Sequence, residues 1–320
     1  MKYIDVFNGD ADGICGLHQL RLADPRPDAR LVTGVKRDIR LLDKLAGVQH
    51  ADITVLDISL DSNRQGLLSL LEAGCRVLYV DHHFCGDIPV TPDLQAHIDP
   101  NPDICTSLIV DQLLAGRYRT WAVAGAFGDN LQETARRAAA SLTLTSDQIA
   151  KLQELGELLN YNGYGPTVAD LHVPPDELYR EVMPYSDPLE FHESAAVLAR
   201  LRQGYLSDME QAKRFPPVQD SSGGRIFELP AESWARRVSG VFSNQKAQER
   251  PDLAHALLIR NDDGTYRVNV RAPLQNKHSA DTLCLAFSTG GGRAAAAGVN
   301  NLPKEELQEF LKKFDEVFGK

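Results

Sequence analysis

The sequence predicts a two-domain α/β protein, and three observations support this fold class. Its 320 residues are enough for about two domains of ordinary size. Over the first 130 residues, short apolar runs alternate with helical patterns, which is typical of a parallel sheet built from β-α-β units. The composition, 43% hydrophobic and 24% charged, is that of a soluble globular protein and excludes disordered, collagen-like and coiled-coil chains.

The predicted N-terminal elements follow from periodicity and turn residues. Apolar, β-branched runs predict three strands, at Tyr3–Phe7, Ile53–Ile58 and Val77–Val80. Helical spacing predicts further elements at Ile14–Ala23, Ile39–Leu45, Ser62–Ala73, Ser107–Leu114, Leu131–Leu142 and Ser146–Leu159. Thr106 is predicted to be the N-cap of one of these helices. Residues 160–192, which are rich in Tyr, Pro and Gly, predict an irregular segment packed on this domain.

A second, smaller α/β domain is predicted to follow a linker. The polar helix Glu193–Phe215 ends at two prolines, and residues 218–224 predict a hinge or a turn into the next strand. The later elements are strands at Arg225–Leu229, Ala254–Arg260 and Tyr266–Arg271 and an amphipathic helix at Lys304–Phe318. We therefore place a first domain at residues 1–195, a linker helix and hinge at 196–222, and a second domain at 223–320. We expect the active site in a cleft between them.

The charge and the cysteine content indicate which partners and which cellular compartment to expect. The net charge is −10, and all the excess acid lies in residues 1–215, because residues 216–320 carry 14 basic and 13 acidic residues. We expect no long nucleic acid partner, since such a partner needs a basic face. No apolar run reaches the roughly 18 residues of a membrane span, and the early Asp5 is unlike a secretory signal. Five scattered cysteines without a CxxC pair predict a cytoplasmic protein.

Acidic residues and histidines follow four apolar stretches. The carboxyl ends of parallel strands meet at one edge of a sheet, where ligands bind, so we expect these side chains to lie together. They are Asn8, Asp10 and Asp12 after the first strand, Asp57 after the second, Asp81, His82 and His83 after the third, and Asp129 after residues 122–128, which we interpret as a fourth strand.

The chemistry of these side chains predicts a divalent metal site. Buried carboxylates so close together cannot all stay ionised without a counter-charge. Oxygen ligands with one or two imidazoles suit Mn²⁺ or Mg²⁺ better than a thiolate-bound structural zinc. The number of ligands is sufficient for two ions about 3.5–4 Å apart, as in two-metal phosphoryl-transfer sites.

On these motifs the chain resembles the DHH phosphoesterase superfamily. The carrying motifs are Asp10-Ala11-Asp12-Gly13, Asp57, Asp81-His82-His83 and Asp129. Tyr266–Arg271 and Ser288–Gly298 are similar to the DHH-associated C-terminal domain, whose signature is a strand arginine followed by GGGH-x-x-A-A-G. The superfamily includes single-strand exonucleases, nano-RNases, dinucleotide phosphodiesterases and family II inorganic pyrophosphatases.

The resemblance implies a role for each matched residue. Asp10 would bind one metal and Asp12 the other, Asp57 would bridge both, and His82 and Asp129 would complete the second site. The implied catalytic residues are Asp57, Asp81 and His83, with His83 facing the substrate phosphate and Asp81 ligating or orienting. The implied substrate-binding residues are His83, Arg271, Gly290, Gly291, Gly292 and Arg293. The residues Ala294–Ala297 are predicted to open a helix whose N-terminus attracts an anion.

Two positions depart from the family pattern. Asn8 stands where the family usually has histidine, and an amide oxygen is a weaker, neutral ligand for Mn²⁺. Arg293 replaces the histidine of GGGH, and a guanidinium can bind phosphate through two hydrogen bonds. These departures indicate a more weakly held first metal and a shifted substrate preference.

The resemblance implies a two-metal phosphodiesterase, with two Mn²⁺ or Mg²⁺ ions, that converts short nucleotides to mononucleotides. A linear dinucleotide such as pGpG or a very short oligoribonucleotide is the expected substrate. Two alternatives stay open: a pyrophosphatase-like hydrolase of a small phosphoanhydride, and a non-catalytic nucleotide sensor with a degenerate metal site. The sequence also leaves open whether the chain forms a homodimer.

Overall fold

The computed structural model describes residues 2–319, and the chain divides into two compact units between Gln203 and Gly204. The division falls within the helix Ala196–Ala212, inside the segment 196–222 that we expected to be a linker. No helix among residues 2–319 is both long and apolar enough to cross a membrane.

The first unit contains a parallel five-stranded sheet with the order β2-β1-β3-β4-β5. Its strands are β1 (Lys2–Phe7), β2 (Arg30–Val32), β3 (Ala51–Leu56), β4 (Arg76–Asp81) and β5 (Leu94–Ile98). The chain moves from β1 to one side to form β2 and then to the other side to form β3. In open α/β sheets, such a reversal leaves a crevice at the carboxyl ends of the two central strands, here β1 and β3.

Helices surround this sheet and confirm the predicted α/β class. They are α1 (Ala11–Ala23), α2 (Leu60–Glu72), α3 (Thr106–Leu113), α4 (Arg119–Gly128), α5 (Gln132–Ala139), α6 (Ser146–Gly163), α7 (Pro175–Val182), α8 (Pro188–Ser194) and α9 (Ala196–Ala212), with 3-10 turns at Leu41–Leu45 and Val168–Asp170. The capping box of Thr145 and Gln148 explains where α6 begins, because their side chains satisfy the first free amides of the helix.

Two predictions for this unit are wrong. The apolar stretch before Asp129 is helix α4 rather than a strand; residues 121–128 are all buried, so the helix shows no polar face. Residues 160–192 are largely helical rather than irregular. Pro175 and Pro188 stand in the first turns of α7 and α8, where proline favours a helix because its missing N–H is not needed there.

The second unit contains a mixed six-stranded sheet with the order β10-β11-β9-β8-β7-β6. Its strands are β6 (Gln219–Asp220), β7 (Gly224–Leu229), β8 (Ala254–Arg260), β9 (Tyr266–Arg271), β10 (Gly290–Arg293) and β11 (Ala296–Leu302). Its helices are α10 (Ser233–Glu249), α11 (Ala280–Leu285) and α12 (Leu307–Phe318), with a 3-10 turn at Lys304–Glu306. One core joins Val268 and Val270 of the sheet to Phe310 and Phe314 of α12.

Residues 294–297 do not open a helix, which corrects a further prediction. Gly290–Arg293 and Ala296–Leu302 instead form an antiparallel hairpin, in which Gly292 pairs with Ala297. Three glycines and four alanines carry little side-chain information, and the pairing with β9 decides the conformation.

Candidate metal centre

The sequence around Asp10 and Asp12 places both carboxylates at the start of a helix. Asp10 is the N-cap of α1, and its Oδ1 accepts hydrogen bonds from the backbone amides of Asp12, at 3.1 Å, and Gly13, at 3.2 Å. A Cβ atom at Gly13 would lie 2.2 Å from the carbonyl oxygen of Asn8. Glycine is therefore required for α1 to turn back against the end of β1.

Helix α3 fixes the carboxylates of Asp12 and Asp57. The backbone amides of Thr106 and Ser107 donate to the two oxygens of Asp12, at 2.7 and 2.8 Å, so that the aspartate satisfies free amides at the helix start. The Thr106 hydroxyl donates to Asp57 Oδ1 at 3.0 Å. Cys105 is the N-cap of this helix, so the prediction that Thr106 is the cap is wrong. Thr106 instead orients Asp57.

His82 presents a free ring nitrogen to three carboxylates. Its Nδ1 donates to the carbonyl oxygen of Ile104 at 3.0 Å, so Nε2 is the ring nitrogen that faces the carboxylates. That Nε2 lies 3.5 Å from Asp57 Oδ1, 3.8 Å from Asp129 Oδ2 and 4.0 Å from Asp12 Oδ2. A ring held through one nitrogen by a backbone carbonyl is the usual arrangement of a metal-binding histidine.

Two overlapping sets of ligand atoms can each hold an ion. One set is Asp12, His82 and Asp129, the other is Asp57, His82 and His83, and within each set the ligand atoms lie within 4.8 Å of one another. Carboxylates with imidazole suit Mn²⁺ and also accept Mg²⁺. The donor set thus fits the divalent ion that the sequence predicts, although Asp129 comes from the C-terminal end of α4 rather than from a strand.

Asp81 orients His83 rather than joining these ligand sets. The Asp81 carboxylate is fully buried, and its Oδ1 accepts a hydrogen bond from His83 Nδ1 at 2.7 Å. Burial lowers the pKa of His83, but the hydrogen bond and charge of Asp81 outweigh it, so the net shift is upward. The His83 side chain is 40% exposed. Of the two roles predicted for Asp81, ligation and orientation, the contacts favour orientation.

Lys36 is a central residue that the sequence analysis did not identify. It lies just beyond β2, and its ammonium contacts Asp10 Oδ2, donates to Asn160 Oδ1 at 2.9 Å, and lies 3.6 Å from Asp129 Oδ1. Burial lowers the pKa of Lys36, yet Asp10 and further neighbours raise it well above the ordinary value. The lysine therefore brings a permanent positive charge to the carboxylates.

The carboxylates differ in how well their charge is balanced. Burial raises the pKa of Asp10, but the Lys36 ammonium more than offsets this, and the net direction is downward. Burial, followed by the charge of Asp12, raises the pKa of Asp57 well above its ordinary value. Burial also raises the pKa of Asp129, which Lys36 only partly offsets. The uncompensated negative charge thus lies beside His82, where a cation would relieve it.

Asn8 is buried beside the same crevice. Its Nδ2 donates to the carbonyl oxygen of Lys36 at 3.3 Å, and its Oδ1 finds no hydrogen-bond partner among residues 2–319. The amide therefore supports the Lys36 segment with its donor and leaves its acceptor free.

In the second unit, the predicted arginines lie in one row across the sheet. Arg271 of β9 pairs with Ala296 of β11, and Ala296 pairs with Arg293 of β10, so the three side chains leave the same face. Arg271 Nε donates to Asn244 Oδ1 at 2.9 Å, and Arg293 is exposed. The Cα atoms of the two arginines are about 10 Å apart, since neighbouring strands are separated by about 4.8 Å.

The glycines of the hairpin have different structural roles. A Cβ atom at Gly290 would lie 1.7 Å from the carbonyl oxygen of Cys284, so this glycine is required for packing against α11. Gly291 has open space where a Cβ would stand, and it pairs with Gly298, two residues along the strand from the row of arginines. Gly292 has a φ of +140°, a backbone conformation that favours glycine. Only Gly291 has space for close approach of a ligand.

Comparisons with known proteins identify solved structures that have a similar fold. No family model and no curated protein sequence matches the chain. Solved structures do match: an exonuclease RecJ bound to manganese is 17% identical, with a TM-score of 0.60 over 98% of this chain and 89% of that one. RecJ from Thermus thermophilus in complex with Mn²⁺ is 17% identical, with a TM-score of 0.63 over 98% of this chain and 52% of that one.

A further match has nearly the same length as this chain. It is the pGpG-specific phosphodiesterase PggH from Vibrio cholerae, which is 15% identical, with a TM-score of 0.55 and 99% of each chain covered. The chain therefore has the fold of RecJ and PggH over nearly its whole length. The fold that the motif resemblance implies is therefore confirmed.

Proposed function

We propose that this protein is a metal-dependent phosphodiesterase that hydrolyses short nucleotides to mononucleotides. The observation that carries the proposal is the position of His82 Nε2, which lies within 4.0 Å of carboxylate oxygens of Asp12, Asp57 and Asp129 while Nδ1 is hydrogen-bonded to the Ile104 carbonyl oxygen. This arrangement lies at the crevice between β1 and β3, where open α/β sheets bind ligands.

These four residues would hold a divalent ion. When bound, the ion supplies positive charge to phosphate oxygens and lowers the pKa of a bound water. Mn²⁺ and Mg²⁺ are both candidates, because the ligands are carboxylates and imidazole, and RecJ structures contain either ion. Thr106 keeps Asp57 oriented through its hydroxyl, and Ile104 keeps the His82 ring in the tautomer that can ligate.

His83 has the position and charge to contact the substrate phosphate. Its Nδ1 is held by the buried Asp81, its side chain is 40% exposed, and its upward-shifted pKa favours the protonated ring. A protonated imidazole beside the metal ligands can donate a hydrogen bond to a phosphate oxygen or a proton to a leaving oxygen. Asp81 would act on the reaction only through His83.

A linear dinucleotide, with pGpG as the first candidate, is the substrate class that we propose. PggH, which has this fold at the same length, is a pGpG-specific phosphodiesterase. The row of Arg271 and Arg293 offers two guanidinium groups and the open backbone of Gly291 for the phosphate or base of a small ligand. The net charge of −10 argues against long nucleic acid as the substrate.

We also propose that the protein acts in the cytoplasm. All five cysteines are free, and four of them are buried, as expected for a chain folded under reducing conditions.

The test is a substrate panel with purified protein. Full-length protein with MnCl₂ is incubated with pGpG, pApA, a five-nucleotide RNA, cyclic dinucleotides and pyrophosphate, and products are separated by chromatography. We expect mononucleotides from the linear dinucleotides and none after EDTA treatment. Hydrolysis of pyrophosphate alone would favour the phosphoanhydride alternative, and binding without turnover would favour the sensor.

Two variants connect the activity to the site. Asp57→Asn should abolish turnover, while Asp43→Asn, which changes an exposed aspartate paired with Arg40, should leave it unchanged. Asparagine is preferable to alanine at position 57 because this residue has a φ of +60°, which asparagine tolerates. Full activity of Asp57→Asn would refute the assignment of the metal ligands.

A further inference from the structure

The ammonium of Lys36 occupies the middle of an acidic cluster. It contacts Asp10, hydrogen-bonds Asn160 at 2.9 Å, lies 3.6 Å from Asp129 and faces the ring of Tyr164 at 5.8 Å. Oxygen atoms from three different parts of the chain therefore surround one compact positive charge. A lysine ammonium is such a point charge, with three donors that can serve three acceptors at once.

Both polar backbone groups of Lys36 are hydrogen-bonded, which fixes the residue in this position. Its N–H donates to the carbonyl oxygen of Gly163, at the end of α6, at 2.9 Å, and its carbonyl oxygen accepts from Asn8 Nδ2 at 3.3 Å. Asn8 is the residue that stands in place of the expected histidine. The residue that departs from the motif thus supports the lysine that approaches Asp10.

The carboxylates of the site differ in how close they lie to Lys36. Asp10 is paired with Lys36 and belongs to neither of the ligand sets that converge around His82 in the described part of the chain. Among residues 2–319, the ion pairs of Asp12 and Asp57 involve only His82. Asp10 thus has a built-in cation, Asp129 lies 3.6 Å from the same ammonium, and Asp12 and Asp57 have no lysine or arginine partner among residues 2–319.

We infer that the Lys36 ammonium takes the place of one of the two expected cations, so that this protein binds a single divalent ion at Asp12, Asp57, His82 and Asp129. The inference rests on the proposed function, since it concerns the cofactor of the same site. The ion and the ammonium would together supply positive charge to a bound phosphate.

The first experiment measures the stoichiometry of Mn²⁺ on the full-length protein. Metal-stripped chain is equilibrated with MnCl₂ by dialysis, and bound manganese is counted by elemental analysis and examined by electron paramagnetic resonance. We expect one Mn²⁺ per chain, with the spectrum of an isolated ion. Two ions about 3.5–4 Å apart would be magnetically coupled, and their appearance would overturn the inference.

The second experiment restores the family pattern. The double variant Asn8→His/Lys36→Met exchanges the ammonium for an apolar side chain of similar length and adds an imidazole ligand. We expect its stoichiometry to rise from one to two Mn²⁺ per chain, with a coupled spectrum. The control is Lys44→Met, which changes an exposed lysine paired with Asp38 and should retain one ion.

The outcomes separate this inference from the proposed function. Two ions on the unchanged protein would overturn the inference and leave a metal-dependent phosphodiesterase intact. No bound ion would overturn both, and a double variant that binds only one ion would overturn the role of Lys36 as the second cation. Binding of the first ion by the double variant also shows that its site is folded.

Discussion

Asp57→Asn should have opposite effects on stability and on metal binding. The Asp57 carboxylate destabilises the folded protein when no cation is bound, and it is needed as a ligand when one is. Burial and the charges of Asp12, Asp10 and Asp129 raise the pKa of Asp57 well above its ordinary value. Asparagine removes the charge and keeps an oxygen that can accept the hydrogen bond of Thr106 at 3.0 Å.

Without metal, the variant should be more stable than the unchanged protein, because asparagine brings no charge into the acidic cluster. With Mn²⁺ at about 100 times its dissociation constant, the unchanged protein should gain about 2.7 kcal/mol, or about 5–11 °C. The variant should lose most of that gain because it lacks one ligand.

Thermal unfolding followed by circular dichroism, in EDTA and in MnCl₂, measures both quantities. Asp43→Asn serves as the control and should behave like the unchanged protein, since Asp43 is exposed and pairs with Arg40 rather than with a residue of the site. A variant that is less stable than the unchanged protein in EDTA would refute the repulsion argument. A variant that keeps the full Mn²⁺ shift would refute Asp57 as a ligand.

Other consequences of the structure concern its stability. Burial lowers the pKa of His18 to about 4. The free energy of unfolding should therefore be highest above about pH 6.5 and should fall by up to about 3 kcal/mol as the pH drops to 4, because the buried neutral ring must then be protonated. Urea titrations at several pH values should show a smaller fall for His18→Leu. The hydrogen bond from Arg202 lowers the pKa of Glu154 to about 2. Above about pH 4.5, Glu154→Gln should lower the free energy of unfolding by about 1 kcal/mol, a figure that allows for the solvent exposure of this pair. In the same titrations the difference should vanish as the pH falls toward 2. Gly290→Ala should lower stability by about 3 kcal/mol in thermal unfolding, because its Cβ would meet the Cys284 carbonyl, whereas Gly291→Ala should stay within about 0.5 kcal/mol; equal effects would contradict the hairpin packing.

The sequence predicted the central strands because their apolar pattern matches their environment. β3 and β4 are largely buried, and their β-branched residues indicate this directly. β2 and β5 were not predicted, since edge strands are partly exposed and β2 has only three residues. Helix α4 was interpreted as a strand because a helix buried on every side shows no 3.6-residue period.

The candidate site was predictable where its residues share a local motif or directly follow an apolar stretch of the sequence. Asp10 and Asp12 lie at the start of a helix, and His82 and His83 follow a strand, so their spacing indicates a shared site. Lys36 follows the unpredicted strand β2 and meets Asn160, 124 residues later in the chain. A lysine in a loop is ordinarily a solvated side chain, and only the tertiary fold shows that this one enters an acidic crevice.

The contacts of Lys36 give Asn8 a different role from the one that its position in the motif suggests. Judged from the motif alone, it is the loss of a metal ligand and therefore weakens the site. In the structure its amide donates to the Lys36 backbone, and the Lys36 ammonium contacts Asp10. A histidine at position 8 would lose that support, while a metal ion at Asp10 would repel the ammonium. The asparagine and the lysine are therefore consistent only with each other, and together they describe an altered charge arrangement rather than a decayed site.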